Sequence, residues 1–281
     1  MFRKIVYLIL AAGLCSMVSA QTLWLDNGHE QRFTLEFNRP SLEESDFADI
    51  SVYTMFFNMH LPLGNTTDLV GTVPVAYSSI SYSDFFGNEY DESETALGNI
   101  YAGLEIHRKD APTMWEIGLY LPTASSENSA VSDGLIVEWV DRPGAFAPDY
   151  LIANALINVL QTESSGLDWR FRAGPSFWFS TGDRSDGTEI FMQYGGKIGF
   201  KTRQAGFFIG LNGRWWQTQD NLDGFSEQTF HQMAFSAHIG NRPVQAGVII
   251  RLPLDEDFSD AYNYIGAMSF GVGNQIRAYP R

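Results

Sequence analysis

Along most of the chain, every second residue is apolar. The clearest case is residues 98–123. Ile100, Ala102, Leu104 and Ile106 share one face of a run, while Tyr101, Gly103, Glu105 and His107 share the other. A tight basic turn follows, Arg108-Lys109-Asp110-Ala111-Pro112. The alternation then resumes with Trp115, Ile117, Leu119 and Leu121 against Met114, Glu116, Gly118 and Tyr120. A period of two on either side of a short turn predicts a β-hairpin. Strands of about ten residues with charge on one face only are the repeating unit of a transmembrane β-barrel.

The unit recurs in order. In residues 31–38, Phe33, Leu35 and Phe37 oppose Arg32, Thr34, Glu36 and Asn38. In residues 50–63, Tyr53, Met55, Phe57, Met59 and Leu61 oppose Thr54, Asn58 and His60; Leu69, Val73, Val75 and Tyr77 mark residues 69–82. Further runs span residues 169–180, 190–200, 205–216, 230–239, 244–252 and 262–279. The spacing in residues 150–161 fits a helix as well as a strand, but their neighbours require a crossing there, so a strand is expected. Residues 135–140, inside a weakly patterned stretch over 124–149, are expected to form a short helix or strand at or above a barrel mouth. The runs number about twelve, an even count as bacterial barrels require.

Connection lengths test this independently. Those at 39–49, 83–97, 123–149, 181–189, 217–229 and 253–261 are long, and those at 64–68, 108–112, 162–168, 201–204 and 240–243 are short. Long outer loops alternating with short periplasmic turns mark a barrel with both termini in the periplasm. A soluble sandwich has no reason to keep that alternation. The long set is acidic (Glu43, Glu44, Asp46; Glu89, Asp91, Glu92, Glu94; Asp255, Glu256, Asp257), and the short turns carry Arg108, Lys109, Lys201, Arg203 and Arg242. The expected fold class is all-β, a transmembrane antiparallel up-and-down β-barrel of about twelve strands spanning residues 21–281.

The N-terminus adds an address. Arg3 and Lys4, an apolar run over residues 5–14 and Val18-Ser19-Ala20 read as a secretory signal peptide over residues 1–20. Leu14 ahead of Cys15 argues against lipidation there, since a small residue is expected at that point. Cys15 is the only cysteine, so the exported chain has no disulfide framework and no thiolate metal site. No later stretch reaches the 18 or so apolar residues of a transmembrane helix. The net charge of −15 disfavours a nucleic-acid partner. The expected location is the outer membrane, with outer-membrane lipid and lipopolysaccharide as partners. Divalent ions bridging acidic loops to lipopolysaccharide would be a nonspecific surface effect. Arg281, with Tyr279 two residues inside, replaces the terminal aromatic that barrel assembly commonly reads.

Two segments look alike, GLYLPTA at residues 118–124 and IIRLPLD at residues 249–255; each is a strand closing in Leu-Pro before an outer loop. With Val140-Asp141-Arg142 and Ala147-Pro148-Asp149 ahead of a strand, the arrangement resembles the outer-membrane family associated with the meta-pathway of phenol degradation. The resemblance spans residues 95–280. It implies a barrel with a transport role, akin to channels for hydrophobic compounds, and no particular substrate.

If the apolar faces meet lipid, the others line a lumen. The permeant-contact candidates there are Glu36, Glu105, Glu116, Arg170, Arg172, Lys197, Arg214 and Arg251, with Trp178 and Phe208 as inward aromatics. Arg or Lys facing lipid at mid-bilayer would cost about 2–4 kcal/mol, so inward placement is favoured. Carboxylates come from early strands and bases from later ones, so opposite walls carry opposite sign. Two readings stand: a polar constriction that selects permeants, or a network of paired charges filling the interior. Phe191 also points inward with Trp178 and Phe208, suiting either a hydrophobic permeant or packing against residues 124–149. Trp115, Tyr120, Tyr194, Phe200, Trp215, Trp216 and Tyr264 fit an interfacial girdle.

Catalysis needs a nucleophile with a base in reach. Ser236 and His238 share the lumen face, but in the reverse order to barrel lipid hydrolases and without a nameable acid. No enzymatic activity is expected. His60 and His107 lie on different strands and read as polar fillers, not metal ligands. The Thr181–Gly187 stretch has oxygen ligands without the spacing of a calcium loop. No metal or cofactor is expected. The function expected is passive passage of small molecules, hydrophobic ones included; the alternatives are a structural or surface-interaction barrel with a plugged lumen, and a lipid hydrolase.

Overall fold

A computed structural model of the chain describes residues 31–42, 48–83, 88–107, 112–161, 165–182, 187–202, 204–218, 227–240 and 244–274. The strands in order are β1 (Gln31–Leu42), β2 (Ala48–Pro62), β3 (Thr67–Ser83), β4 (Glu89–Leu97), β5 (Tyr101–His107), β6 (Thr113–Tyr120), β7 (Tyr150–Gln161), β8 (Gly166–Ser180), β9 (Glu189–Lys201), β10 (Ala205–Trp216), β11 (Thr229–Ile239), β12 (Val244–Pro253) and β13 (Tyr262–Asn274). Among the described residues two helices lie between them: α1 (Ser129–Glu138) between β6 and β7, and the one-turn α2 (Glu256–Ser259) before β13.

Neighbours in the chain pair antiparallel, and β1 pairs with β13 from Gln31↔Asn274 to Leu42↔Tyr262, so the sheet closes on itself. Closure removes the unpaired edges an open sheet would present. β4 and β5 share β3 as partner, along Val75↔Leu97 to Ser83↔Glu89 and along Thr67↔Ile106 to Thr72↔Tyr101. They are one wall strand interrupted at residues 98–100, and the thirteen segments make a closed twelve-stranded barrel. The interruption lies opposite Pro74, which has no N–H to offer a ladder. Gly98 N–H bonds the Pro74 carbonyl at 2.9 Å, while Asn99 N–H turns inward to the Ala145 carbonyl at 2.6 Å.

Burial is inverted relative to a water-soluble protein. On β6, Trp115 and Ile117 are 55% and 58% exposed, whereas Glu116 between them is 6% exposed. The same alternation runs round the wall, with Arg170, Glu105 and Arg251 inside and Phe171, Leu104 and Ile250 outside. Period-two strands force this outcome once the barrel closes. An apolar outer band of this kind is solvated by hydrocarbon, not by water. No helix among the described residues is long and apolar enough to cross a membrane.

Several expectations shift. The long acidic connection expected over residues 83–97 instead forms β4 from Glu89 onward, so that β3 and β4 extend as a hairpin whose residues 88–95 are exposed. Because β1 and β2 are longer than the periodicity suggested, the connection over 39–49 shrinks to residues 43–47. The helix starts at Ser129, earlier than expected, and lies inside the barrel. Residues 150–161 form a strand with Ile152, Asn154, Leu156 and Asn158 buried. Tyr120 and Trp216 point into the lumen, where Tyr120 packs on Tyr101 at 4.7 Å and Trp216 stacks on Phe191 at 5.1 Å. They are not girdle residues; Trp115 and the 70% exposed Phe200 do face outward. Lys201 turns inward and pairs with the buried Asp168. The signal segment over residues 1–20, the charged residues Glu43, Glu44, Asp46, Arg108, Lys109, Arg203 and Arg242, the centre of the calcium-like stretch and the C-terminal Tyr279 and Arg281 lie outside the described residues.

Candidate functional site in the barrel lumen

The connection from β6 to β7, residues 121–149, folds back into the barrel. Asn128 caps α1 through its side-chain oxygen, which accepts from Ala130 N–H at 3.1 Å. Glu94, on the β4 extension, accepts from the Ser129 N–H and hydroxyl at 2.8 and 2.9 Å. A carboxylate at this end of a helix meets its exposed N–H groups and positive dipole end. Ala130, Val131 and Gly134 then pack against Ala76, Ala96 and Phe56 of the wall. A single 3₁₀ turn, Pro143–Ala145, reverses the chain, and Phe146 meets Phe56 edge-on at 5.8 Å.

The polar contacts of this segment match the wall in sign. Glu138 accepts from both terminal nitrogens of Arg251, each at 3.0 Å, and from Asn38 and Thr54 at 2.9 and 2.7 Å. Asp141 stands 3.4 Å from the same arginine. Arg142 pairs with Glu36 at 2.8 Å and lies over the Phe56 ring, 3.5 Å from its centre, a cation–π arrangement. Arg214 donates to the carbonyls of Val140 and Asp141 at 3.0 and 3.1 Å. Asn99 donates to the carbonyls of Gly144 and Ala147 at 3.0 and 2.5 Å and accepts from Ala124 N–H at 2.9 Å. Burial by itself would raise the Glu138 carboxyl; the guanidiniums of Arg251 and Arg142 outweigh it and hold the group below the usual carboxylate range. The inserted segment is a plug, and it brings its arginine to an acid and its acids to arginines.

All ten lumen candidates face inward. Glu36, Arg214 and Arg251 bind the plug. Glu116 forms a second group, accepting from the Tyr101 hydroxyl at 2.6 Å and from Arg172 at 2.8 Å. Gly103 and Gly118 make room for the Tyr101 ring; a Cβ at Gly118 would lie 2.1 Å from its hydroxyl. Glu105 meets His60 at 2.9 Å. Arg170 stands opposite Lys197 in the β8–β9 register. Lys197 reaches over Phe208 at 4.6 Å, and Phe208 stacks on His238 at 5.6 Å. Trp178 and Phe191 pack with Ala147 of the plug, and Phe191, Trp216 and Phe230 surround Trp139 edge-on. Of the three inward aromatics, two therefore cover the plug. Next to the plug a polar cavity of about 100 Å³ remains, lined by Glu105, Glu116, Arg142, Arg172 and Arg214 among others. That is far below the 300 Å³ or so of a typical ligand pocket.

Sequence reasoning missed Glu138, Arg142, Asn99 and Asp68. The first two sit in a stretch without strand periodicity, so parity said nothing about them. Arg142 figured only in the Val140-Asp141-Arg142 motif of the family resemblance, and beyond that the cue was charge within the otherwise apolar run VEWVDR.

No protein-family model matches the chain, and no curated relative matches it in sequence. Its fold does have counterparts. An outer-membrane channel from Pseudomonas putida F1 superposes with a TM-score of 0.55 at 11% identity, over 91% of this chain and 98% of the other. The translocator domain of autotransporter NalP from Neisseria meningitidis superposes with a TM-score of 0.53 at 11% identity, over 89% of each chain. The chain has the fold of the outer-membrane β-barrels.

Proposed function

We propose that this protein is an outer-membrane channel for the passive passage of small molecules, held closed by the plug over residues 121–149. The observation that carries this reading is the charge match between plug and wall at Glu36–Arg142 and Glu138–Arg251. Filling an interior permanently is cheaper with apolar side chains than with desolvated ion pairs. Ion pairs and hydrogen bonds to a separate segment can be exchanged for water when that segment withdraws, leaving a polar passage lined by Glu105, Glu116, Arg172, Arg214 and Arg251.

The apolar outer band and the likeness in fold support a place in the outer membrane, where lipid and lipopolysaccharide would surround the barrel; periplasmic termini rest on the alternation of long and short connections. The Pseudomonas putida F1 protein is a channel; at 11% identity that role comes to this chain only as part of the proposal. Hydrophobic permeants remain within the proposal on two grounds. One is the resemblance of GLYLPTA and IIRLPLD to the family associated with phenol degradation. The other is a seam in the wall: β1 and β2 pair only from Arg32↔His60 to Asn38↔Thr54, and beyond it lies a groove of about 1170 Å³ lined by Leu42, Val52, Tyr53, Ile249 and Met268 among others.

Recording in planar bilayers tests the reading. The intact barrel is expected to be mostly closed, and a variant with residues 124–148 replaced by a short Gly-Ser link is expected to conduct steadily. A linked variant that folds, shown by heat-modifiable migration on gels, yet passes no current would sink the channel in favour of a plugged structural barrel.

A further inference from the structure

Apart from the plug, one cluster of lumen side chains is built of metal-ligating groups. His60 comes from β2, Asp68 from β3, and Glu105 and His107 from β5, three adjacent wall strands. Their contacting atoms converge. His60 Nε2 lies 2.9 Å from Glu105 Oε2 and 3.4 Å from Asp68 Oδ2; His107 Nε2 lies 2.6 Å from Asp68 Oδ2 and 3.8 Å from Glu105 Oε2. The ligand atoms of His60, Asp68 and Glu105 all fall within 4.8 Å of one another.

We infer that His60, Asp68, Glu105 and His107 form a binding site for one divalent transition-metal ion of the zinc class. Two imidazoles and two carboxylates are ligands that such ions take in four-coordinate sites. With bonds of 2.0–2.1 Å, the edge of a tetrahedron is about 3.3 Å. The separations above are four of its six edges and bracket that value. His60, Asp68 and Glu105 are the converged group, and His107 joins it through Asp68. Two carboxylates balance a divalent charge with both imidazoles neutral, although Arg32 stands opposite His60 in the β1–β2 register. Soft ions that require thiolate are disfavoured, since Cys15 is the chain's only cysteine.

Burial and placement also suit a site. The His60, Asp68 and Glu105 side chains are 5%, 0% and 3% exposed, while His107 at 22% offers an approach. The cluster lies at the short-turn end of the wall, where His107 N–H bonds Thr66 O at 2.7 Å across the β2–β3 turn. The register puts Asp68 directly opposite Glu105. Glu105 also lines the cavity beside the plug, so a bound ion would add positive charge at its wall. It would also tie three wall strands together at the short-turn end.

The test uses the full barrel, folded in detergent and stripped with a chelator, with Zn²⁺ alone as titrant in calorimetry. One equivalent is expected to bind, and Co²⁺ in its place should show the intense visible bands of four-coordinate cobalt. His60→Gln and His107→Gln should each weaken Zn²⁺ binding by more than the roughly 10–100-fold that loss of even an outer-shell partner costs. His238→Gln should bind as the parent does. A folded parent that takes up no zinc, or binds cobalt only with the weak bands of six-coordination, overturns the site without any variant. Binding unchanged in both cluster variants also overturns it, because the ion then sits elsewhere.

Discussion

Arg251 and Glu138 face each other through two hydrogen bonds of 3.0 Å, although 113 residues separate them in the chain and neither is exposed to solvent. The arginine belongs to the wall and the glutamate to the inserted helix. A pair of this kind is weak ground for global stability, but removing one partner strands the other. Glu138→Gln or Arg251→Met is expected to weaken plug docking by up to about 3–5 kcal/mol, and the double substitution by less than the sum. Open probability in bilayers and protease sensitivity of residues 121–149 measure it; additive effects would show that the two groups do not act on each other.

Asn99 and Gly98 are the wall's backbone attachment to the plug. Asn99→Ala leaves the carbonyls of Gly144 and Ala147 without this donor, at about 1–3 kcal/mol for each buried group left unpaired. Gly98→Ala acts by contact: its Cβ would fall 2.2 Å from the Ala145 carbonyl oxygen. Both variants should raise open probability while the barrel keeps its heat-modifiable migration. A closed channel in both would mean that the 3₁₀ turn is held by other contacts.

A covalent lock should do the reverse. A Cβ built on Gly134 of the helix lies 3.0 Å from the Ala76 Cβ of the wall, slightly inside the roughly 3.5–4.5 Å range of disulfide Cβ pairs. Ala76→Cys combined with Gly134→Cys is expected to abolish openings under oxidising conditions and restore them on reduction. Undiminished current through the oxidised, cross-linked protein would show that permeants bypass the plug.

The outer face predicts an asymmetry at neighbouring residues. Ile117→Arg puts a charge on the hydrocarbon side and should cost roughly 2–4 kcal/mol if the residue sits near the bilayer midplane, less toward an interface. Glu116→Gln, one residue away but inside, should leave barrel folding far less affected and instead loosen the hold on Arg172. Denaturant-dependent folding into vesicles gives both numbers, and equal penalties would contradict the assigned faces.

The alternation of Trp115, Ile117 and Leu119 with Met114, Glu116 and Gly118 was enough to determine strands, a closed barrel and which residues face inward. Every strand residue has only two sides to choose between, and hydrocarbon accepts one of them. That parity placed Arg251, Arg214, Glu36 and Glu116 in the lumen without a structure. Tyr120 and Trp216 share the inward parity of Glu116 and Arg214, so the girdle reading erred there by setting parity aside. Parity gave no signal at β4, which extends the wall although its acidic residues carry no hydrophobic pattern. Early-strand acids against later-strand bases were legible as a class, as Glu116 with Arg172 shows, but the individual partners were not. Glu138 sits on a helix whose place inside the barrel depends on Pro74, Gly98 and Asn99 breaking one wall strand, and His60, Asp68, Glu105 and His107 converge only because β2, β3 and β5 align side by side. Local periodicity sets the face a side chain occupies. Register and the path of a long connection decide what it meets there, because both depend on contacts between residues far apart in the chain.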